Sequence, residues 1–350
     1  MAKQSQMEGM VMKLERNKTE LTGILGIEKI NLLEKLKDVN QWREYRHIYS
    51  QASQLELITP FPTQIDFELN ATCNLRCPMC PLSVEVNSEK KHLLFPFDLF
   101  CKIIDESVAK GLKAIKLNYL NEPLLRNDLE DFIIYAKKAG VLDIYFSSNG
   151  LILTKERAKS LINAGLDRIQ ISIDAYSEDI YNTIRPGSNY HKVVNNVLQL
   201  IKLKKELKSL TPLIRVNFVR TEINEHQLDD FIDFWEDKVD MIGSQEMVKP
   251  PKSSQDINSK TTEQKPAFQC SFPYKQLVIT AEGNVLPCCT FYGEEMVLGN
   301  ILTAYQNNQA ISLQSFWESR KMQHLREIHK NKQYASNPIC KKCIDGAINA

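Results

Sequence analysis

The sequence predicts an α/β fold built on a parallel sheet. Three observations carry this. Between residues 61 and 248, short runs of β-branched and aromatic residues alternate about six times with amphipathic helical stretches. Several of those helices close on "AKG", "KAG" or "NAG", with glycine where a left-handed C-terminal cap is expected. The chain is also long enough, at 350 residues with 43% hydrophobic and 25% charged, to bury one large core and a smaller one. Such alternation implies right-handed crossovers, giving either a partial barrel or a doubly wound sheet. In both, function gathers at the carboxyl ends of the strands.

The elements run in this order. Residues 1–60 are polar and read as helical, a cap or docking element. "QIDFELNA" is the first strand, followed by helix "PFDLFCKIIDESVAKG". Strand "AIKLNYL", helix "DLEDFIIYAKKAG", strand "DIYFSSNG" and helix "TKERAKSLINAG" come next. Then follow strand "RIQISIDA", helical "SEDIYNTIR" and "YHKVVNNVLQLIKLKKELK", strand "LIRVNFVR", helix "HQLDDFIDFWEDK" and strand "MIGSQEMV". Residues 249–267, rich in Ser, Pro, Lys and Thr, read as a linker. Residues 268–350 read as a small module. It has two short strands joined by a turn at Glu282-Gly283-Asn284, one helix over "LQSFWESRKMQHLREIHKNK", and a final "NPICKKCIDGAINA".

The net charge of +1 gives no global argument for a nucleic-acid partner. No apolar run approaches membrane-spanning length. The first residues lack the apolar core and cleavage site of a secretory signal, so a cytoplasmic protein with reduced thiols is expected. Nine cysteines there point to metal ligation rather than disulfides.

Three of the nine, Cys73, Cys77 and Cys80, stand in "ATCNLRCPMCPLS", just after the first strand. Three thiolates on one loop can hold a soft metal centre. A structural zinc or a cubane normally takes four ligands, and no fourth Cys or His lies nearby. Three ligands would leave one iron of a cubane open. A C-x3-C-x2-C motif in this strand context resembles the radical S-adenosylmethionine (radical SAM) superfamily. The resemblance implies a partial (β/α)6 barrel and a [4Fe–4S] cluster on the three thiolates. It further implies S-adenosylmethionine (SAM) on the open iron, and a 5′-deoxyadenosyl radical that removes a substrate hydrogen atom. An electron donor such as flavodoxin or ferredoxin would serve it.

Most of residues 62–248 supports the likeness. Glu122 in "LNYLNEPLL" matches the glutamate that meets the methionine amino group, although Asn121 replaces the usual glycine. Ser147 and Asn149 in "FSSNG", Ser172 in "ISIDA" and Asn217 in "RVNFV" offer hydroxyl and amide groups to the cofactor. Asp174 either faces the same mouth or caps the helix at "SEDI". Arg185 in "NTIRPG" matches an arginine that pairs with the methionine carboxylate.

Beyond the linker, Cys270, Gly283 and Cys288 follow C-x12-G-x4-C, and Cys340 and Cys343 form C-x2-C. This resembles the SPASM auxiliary-cluster domain or its shortened twitch form. The likeness implies a second [4Fe–4S] cluster on Cys270, Cys288, Cys340 and Cys343, with Cys289 spare. Four-thiolate zinc is the alternative at that site. Cys101 reads as core packing. His92, His226 and His324 stand alone and take no catalytic role. The expected function is modification, chiefly oxidation, of a small molecule such as a sugar or aminocyclitol. The alternatives are a peptide- or protein-modifying maturase and a non-catalytic iron–sulfur or zinc protein.

Overall fold

The computed structural model describes residues 22–83, 92–248, 270–310 and 312–348. The expected linker and residues 1–21 lie outside the described residues. Six strands lie side by side in chain order, all parallel: β2 Gln64–Phe67, β3 Ala114–Lys116, β4 Asp143–Ser148, β5 Arg168–Ser172, β6 Leu213–Arg220 and β7 Met241–Glu246. They are joined by α2 Phe97–Ala109, α3 Leu129–Ala139, α4 Lys155–Ala164, α5 Glu178–Ile184 with α6 Tyr190–Glu206, and α7 Leu228–Trp235. Gly140 and Gly165 end α3 and α4 at φ 99° and 86°, the left-handed caps their sequences promise.

Period-two alternation sorts the strand side chains into two buried environments. Ile65, Phe67, Ile115, Ile144, Phe146, Ile169, Ile171, Val216 and Phe218 join the main apolar core. Their neighbours Asp66, Lys116, Tyr145, Gln170 and Arg215 line an internal cavity. The inside of the partial barrel thus carries polar and charged side chains among the apolar ones that also line it.

One expectation about the ends of the sheet is corrected. The N-terminal region is not wholly helical: β1 Thr22–Leu25 pairs antiparallel with β7. Its partner lies more than 200 residues away, and four residues of "TGIL" carry too little pattern to announce a strand. After it, α1 Val39–Ser53, capped by Asp38, buries Trp42 and Tyr45 against Ala114, Leu213 and Met241, the first residues of β3, β6 and β7. The helix plugs the amino end of the barrel.

The small C-terminal module joins the same sheet. After α8 Phe272–Lys275, strand β8 Gln276–Ile279 pairs parallel with β2, and β9 Asn284–Leu286 and β10 Gly299–Asn300 extend the sheet to ten strands. The sheet is open, with β1 and β10 at its two edges. Asn284 belongs to β9, so the turn spans Thr280–Gly283. Gly283 sits at φ 81°, and a Cβ there would meet Leu302 Cβ at 2.4 Å, in α9 Ile301–Gln306. The single helix expected over residues 313–332 is two: α10 Leu313–Trp317 and α11 Arg320–Lys330. Ser319 breaks the run by accepting from Met322 N as the cap of α11. The last helix is α12 Pro338–Ile348. No helix among the described residues is long and apolar enough to cross a membrane.

Candidate functional site

The three-cysteine loop leaves β2 at the carboxyl end of the barrel. A turn closes it, with Cys80 N donating to Cys77 O at 2.8 Å, and Leu75 N donates to Cys73 Sγ at 3.4 Å. Burial pushes all three thiols up, Cys80 to about 12, and Cys73 and Cys77 add to the effect on Cys80. The three sulfurs thus converge within reach of one another's charge. Such thiols stay protonated near neutrality unless a cationic centre takes them as thiolates.

Three of the sequence-predicted site residues, Glu122, Asn149 and Arg185, surround this loop. Glu122, 2% exposed, accepts from Leu124 N at 3.1 Å, Ser148 Oγ at 2.7 Å and Asn149 N at 2.8 Å. Burial pushes its carboxyl to about 6 against those bonds. Asn149 donates from Nδ2 to Asn74 Oδ1 at 2.8 Å and points at Cys73 Sγ at 3.8 Å. Arg185 is held by Asp174, Nε to Oδ2 at 2.9 Å and Nη2 to the same oxygen, and turns Nη1 toward Cys77 Sγ at 3.9 Å. Asn121, where glycine was expected, has no left-handed backbone; its amide accepts from Tyr119 N and donates to Asn70 Oδ1 at 2.8 Å. The substitution ties the second-strand loop to the cluster loop.

The other predicted residues lie on or just after β4, β5 and β6. Ser147 Oγ donates to Gln170 Oε1 at 3.1 Å, and Asn217 Nδ2 reaches the same oxygen at 3.5 Å. Ser172 is half-buried and lies in register with Asn217. Asn217 Oδ1 is buried without a hydrogen-bond partner, and a Cβ on Gly243 would stand 2.5 Å from it. Asp174 does not cap α5. It is fully buried at φ 64°, accepts from Val219 N at 2.8 Å as well as from Arg185, and receives Asn224 Nδ2 at its carbonyl. Ser148, Asn224 and Gln170 hold these groups in place and were missed in the sequence, where a single polar residue in a strand or loop carries no partner information.

The second set comes together from three separated segments. Cys270 lies within electrostatic reach of Cys288, Cys343 and Cys340, and burial pushes Cys340 and Cys343 to about 12 and Cys270 well above its ordinary value. Thr290 Oγ1 lies 3.6 Å from Cys288 Sγ and 3.7 Å from Cys343 Sγ, tying two of the four. All four line a cavity of about 770 Å³ with Cys289 and with Met79 of the first loop. His329 lines it too, 2% exposed, with Nδ1 unpartnered and its pKa pushed to about 4 by burial. It escaped the sequence reading because it stands alone in a polar helix. His92, His226 and His324 are exposed, and Cys101 packs against the core, as expected.

Among the described residues, no three Cys, His, Asp or Glu are gathered in the way one metal ion needs. Ligands to different irons of a cubane stand further apart than ligands to one ion. Soft sulfur donors in sets of three and four fit one open and one closed iron–sulfur cluster.

Comparison with known proteins agrees with this geometry. Residues 67–227 match the radical SAM superfamily, and residues 270–344 match the SPASM iron–sulfur cluster-binding domain. A probable GTP 3′,8-cyclase of Methanococcus maripaludis is 35% identical over 170 residues, 48% of this chain and 54% of the relative. A GTP 3′,8-cyclase of Alkaliphilus oremlandii is 30% identical over 168 residues, 47% of this chain and 50% of the relative. The chain thus spans about half the length of the curated relatives it matches. Streptococcus suis SuiB bound to its precursor peptide SuiA shares the fold at TM-score 0.60 and 15% identity, over 86% of this chain and 75% of SuiB. BtrN in complex with AdoMet and 2-DOIA does so at 0.50 and 20%, over 82% of this chain and 94% of BtrN.

Proposed function

We propose, from the radical SAM and SPASM matches, that the chain is a radical SAM enzyme oxidising a small polar molecule. The observation that carries the reading is a loop of three buried or half-buried thiols, with no fourth cysteine beside it among the described residues, together with four thiols bordering the barrel cavity. Cys73, Cys77 and Cys80 would hold a [4Fe–4S] cluster, and Cys270, Cys288, Cys340 and Cys343 a second one. Bound SAM supplies the hydrogen-abstracting deoxyadenosyl radical. This chain's own residues do the rest. Asn149 and Arg185 direct donors at two of the three sulfurs, and Glu122 offers an acceptor beside Cys73. Ser147 and Asn217 meet Gln170, which lines the cavity, and Ser172 lies in register with Asn217.

What supports a small polar substrate is the set of polar and charged side chains, Asp66, Lys116 and Gln170 among them, that line the cavity. The GTP named for the relatives matched over half their length is a second small-molecule class to test. A peptide substrate is the competing reading, supported by the fold shared with peptide-bound SuiB.

The test is anaerobic reconstitution of the full chain, counting iron and sulfide, then reduction with SAM and assay of 5′-deoxyadenosine. About eight irons with product supports two cubanes of four irons each. Zinc with no deoxyadenosine overturns the reading, and about four irons with product removes the second cluster.

A further inference from the structure

We propose that Asp66 and Lys116 form a subsite inside the barrel that receives a hydroxyl or ammonium group of a small polar substrate. This rests on the small-molecule reading above and names the residues that would select the substrate.

Asp66 and Lys116 are direct partners in register on β2 and β3, and both line the cavity. The Asp66 residue is only 1% exposed. Two amides orient its carboxylate: Gln64 Nε2 donates to Oδ1 at 2.6 Å, and Gln276 Nε2 donates to Oδ2 at 3.2 Å. Gln64 and Gln276 are themselves paired in register across β2 and β8, so both donors come from the layer beneath. Each takes one acceptor position of its oxygen, and a carboxylate has about four in all. The remaining capacity belongs to a donor arriving through the cavity. A carboxylate buried so deeply with acceptor capacity to spare is costly in an empty fold, and it is what a substrate donor would stabilise.

Lys116 is half-buried. Its charge acts on Asp66 and on Cys289, yet no hydrogen bond ties its Nζ to a described residue. The nearby Arg168 differs. Asp143 grips it through two bonds of 2.8 Å, and it stacks on the Tyr145 ring, so it is occupied as part of the frame. Besides Lys116, the groups that act on Asp66 or feel its charge are Lys275, Tyr145 and Cys289. Cys289 adjoins Cys288 of the four-thiol set. Gln276, one of the two orienting amides, is supplied by the same C-terminal module. A donor group bound at Asp66 therefore sits on the wall where the module meets the barrel, in the cavity that the four thiols border.

The test is calorimetric titration of the anaerobically reconstituted full chain, with SAM present, using 2-deoxy-scyllo-inosamine and myo-inositol as probes. The aminocyclitol is expected to bind, and Asp66→Asn to weaken it roughly 10- to 100-fold, the worth of one hydrogen bond to a charged group. Lys116→Met is expected to weaken a hydroxyl held at Asp66 and to strengthen an ammonium held there, because the lysine's positive charge repels the latter. Stronger binding of the aminocyclitol than of myo-inositol assigns the ammonium to Asp66; equal binding assigns a hydroxyl. No binding of the aminocyclitol to the wild-type chain, or unchanged affinity in Asp66→Asn, overturns the subsite. Melting temperature and iron content check that each variant folds. If Asp66→Asn fails there, Asp66→Glu, which moves the carboxylate by one methylene, replaces it under the same criteria. Iron count and deoxyadenosine formation by the wild-type chain judge the enzyme reading separately.

Discussion

The two thiol groups are built by opposite means. Cys73, Cys77 and Cys80 lie within eight residues on one loop, whereas Cys270, Cys288, Cys340 and Cys343 are drawn from a pre-helical turn, a hairpin end and a terminal helix. The local set is held by its neighbours' side chains, Asn149 and Arg185 above all. The dispersed set is held by the fold itself. A local loop can present three ligands and leave a position open; a set closed on four sides needs the module's tertiary structure.

The largest expected effect tests the local set. Replacing Cys73, Cys77 and Cys80 by Ala should abolish 5′-deoxyadenosine and leave about four irons, measured after reconstitution. Retained deoxyadenosine would refute those ligands. The matching replacement of Cys270, Cys288, Cys340 and Cys343 should also halve the iron, yet preserve the response of the remaining cluster's electron paramagnetic resonance signal to SAM. If that response disappears instead, the two sets have been assigned the wrong way round.

Next comes the support of the local set. Asp174→Ala strips a buried guanidinium of its partner, and removing one member of a buried pair costs about 3–5 kcal/mol. Chemical denaturation should register that loss. A change under 1 kcal/mol would mean that Arg185 finds another partner.

A pH effect sharpens the view of the wall between the sets. Burial pushes the Asp66 carboxyl to about 6, from an ordinary 3.8, against the pull of Lys116 and Lys275. The folded chain therefore holds this proton where the unfolded chain has lost it. Stability from this group is highest below about pH 4 and falls as pH rises to about 6, by up to about 3 kcal/mol. Asp66→Asn should flatten that segment of the pH–stability profile in the metal-free protein. An unaltered slope would show that Asp66 ionises as in the unfolded chain. The smallest effect belongs to Thr290→Val, which removes the hydroxyl shared by Cys288 and Cys343. A shift in the second cluster's reduction potential with unchanged iron content is expected, and no shift would make Thr290 a packing residue only.

The core of the fold was legible in the sequence because its signals are local. Alternating strands, helix periodicity and glycine caps all act within a dozen residues, and the six parallel strands follow them. The helix over residues 313–332 misled because Ser319 caps from inside an otherwise continuous pattern. Strand β1 escaped because its only support is β7.

The candidate site divides along the same line. The cysteine motifs, Glu122 and Arg185 are visible in the sequence because chemistry demands those residue types at those spacings. Sequence also marked Asp174 as polar at a strand end, but only the fold decided that it grips Arg185 rather than capping α5. Only the fold placed Asp66 beside Lys116, brought Gln276 to it from 210 residues away, and faced both toward Cys289. The reason is physical. Residue type fixes what a side chain can donate or accept, while the register of strands distant in sequence fixes which partner stands within three ångströms of it.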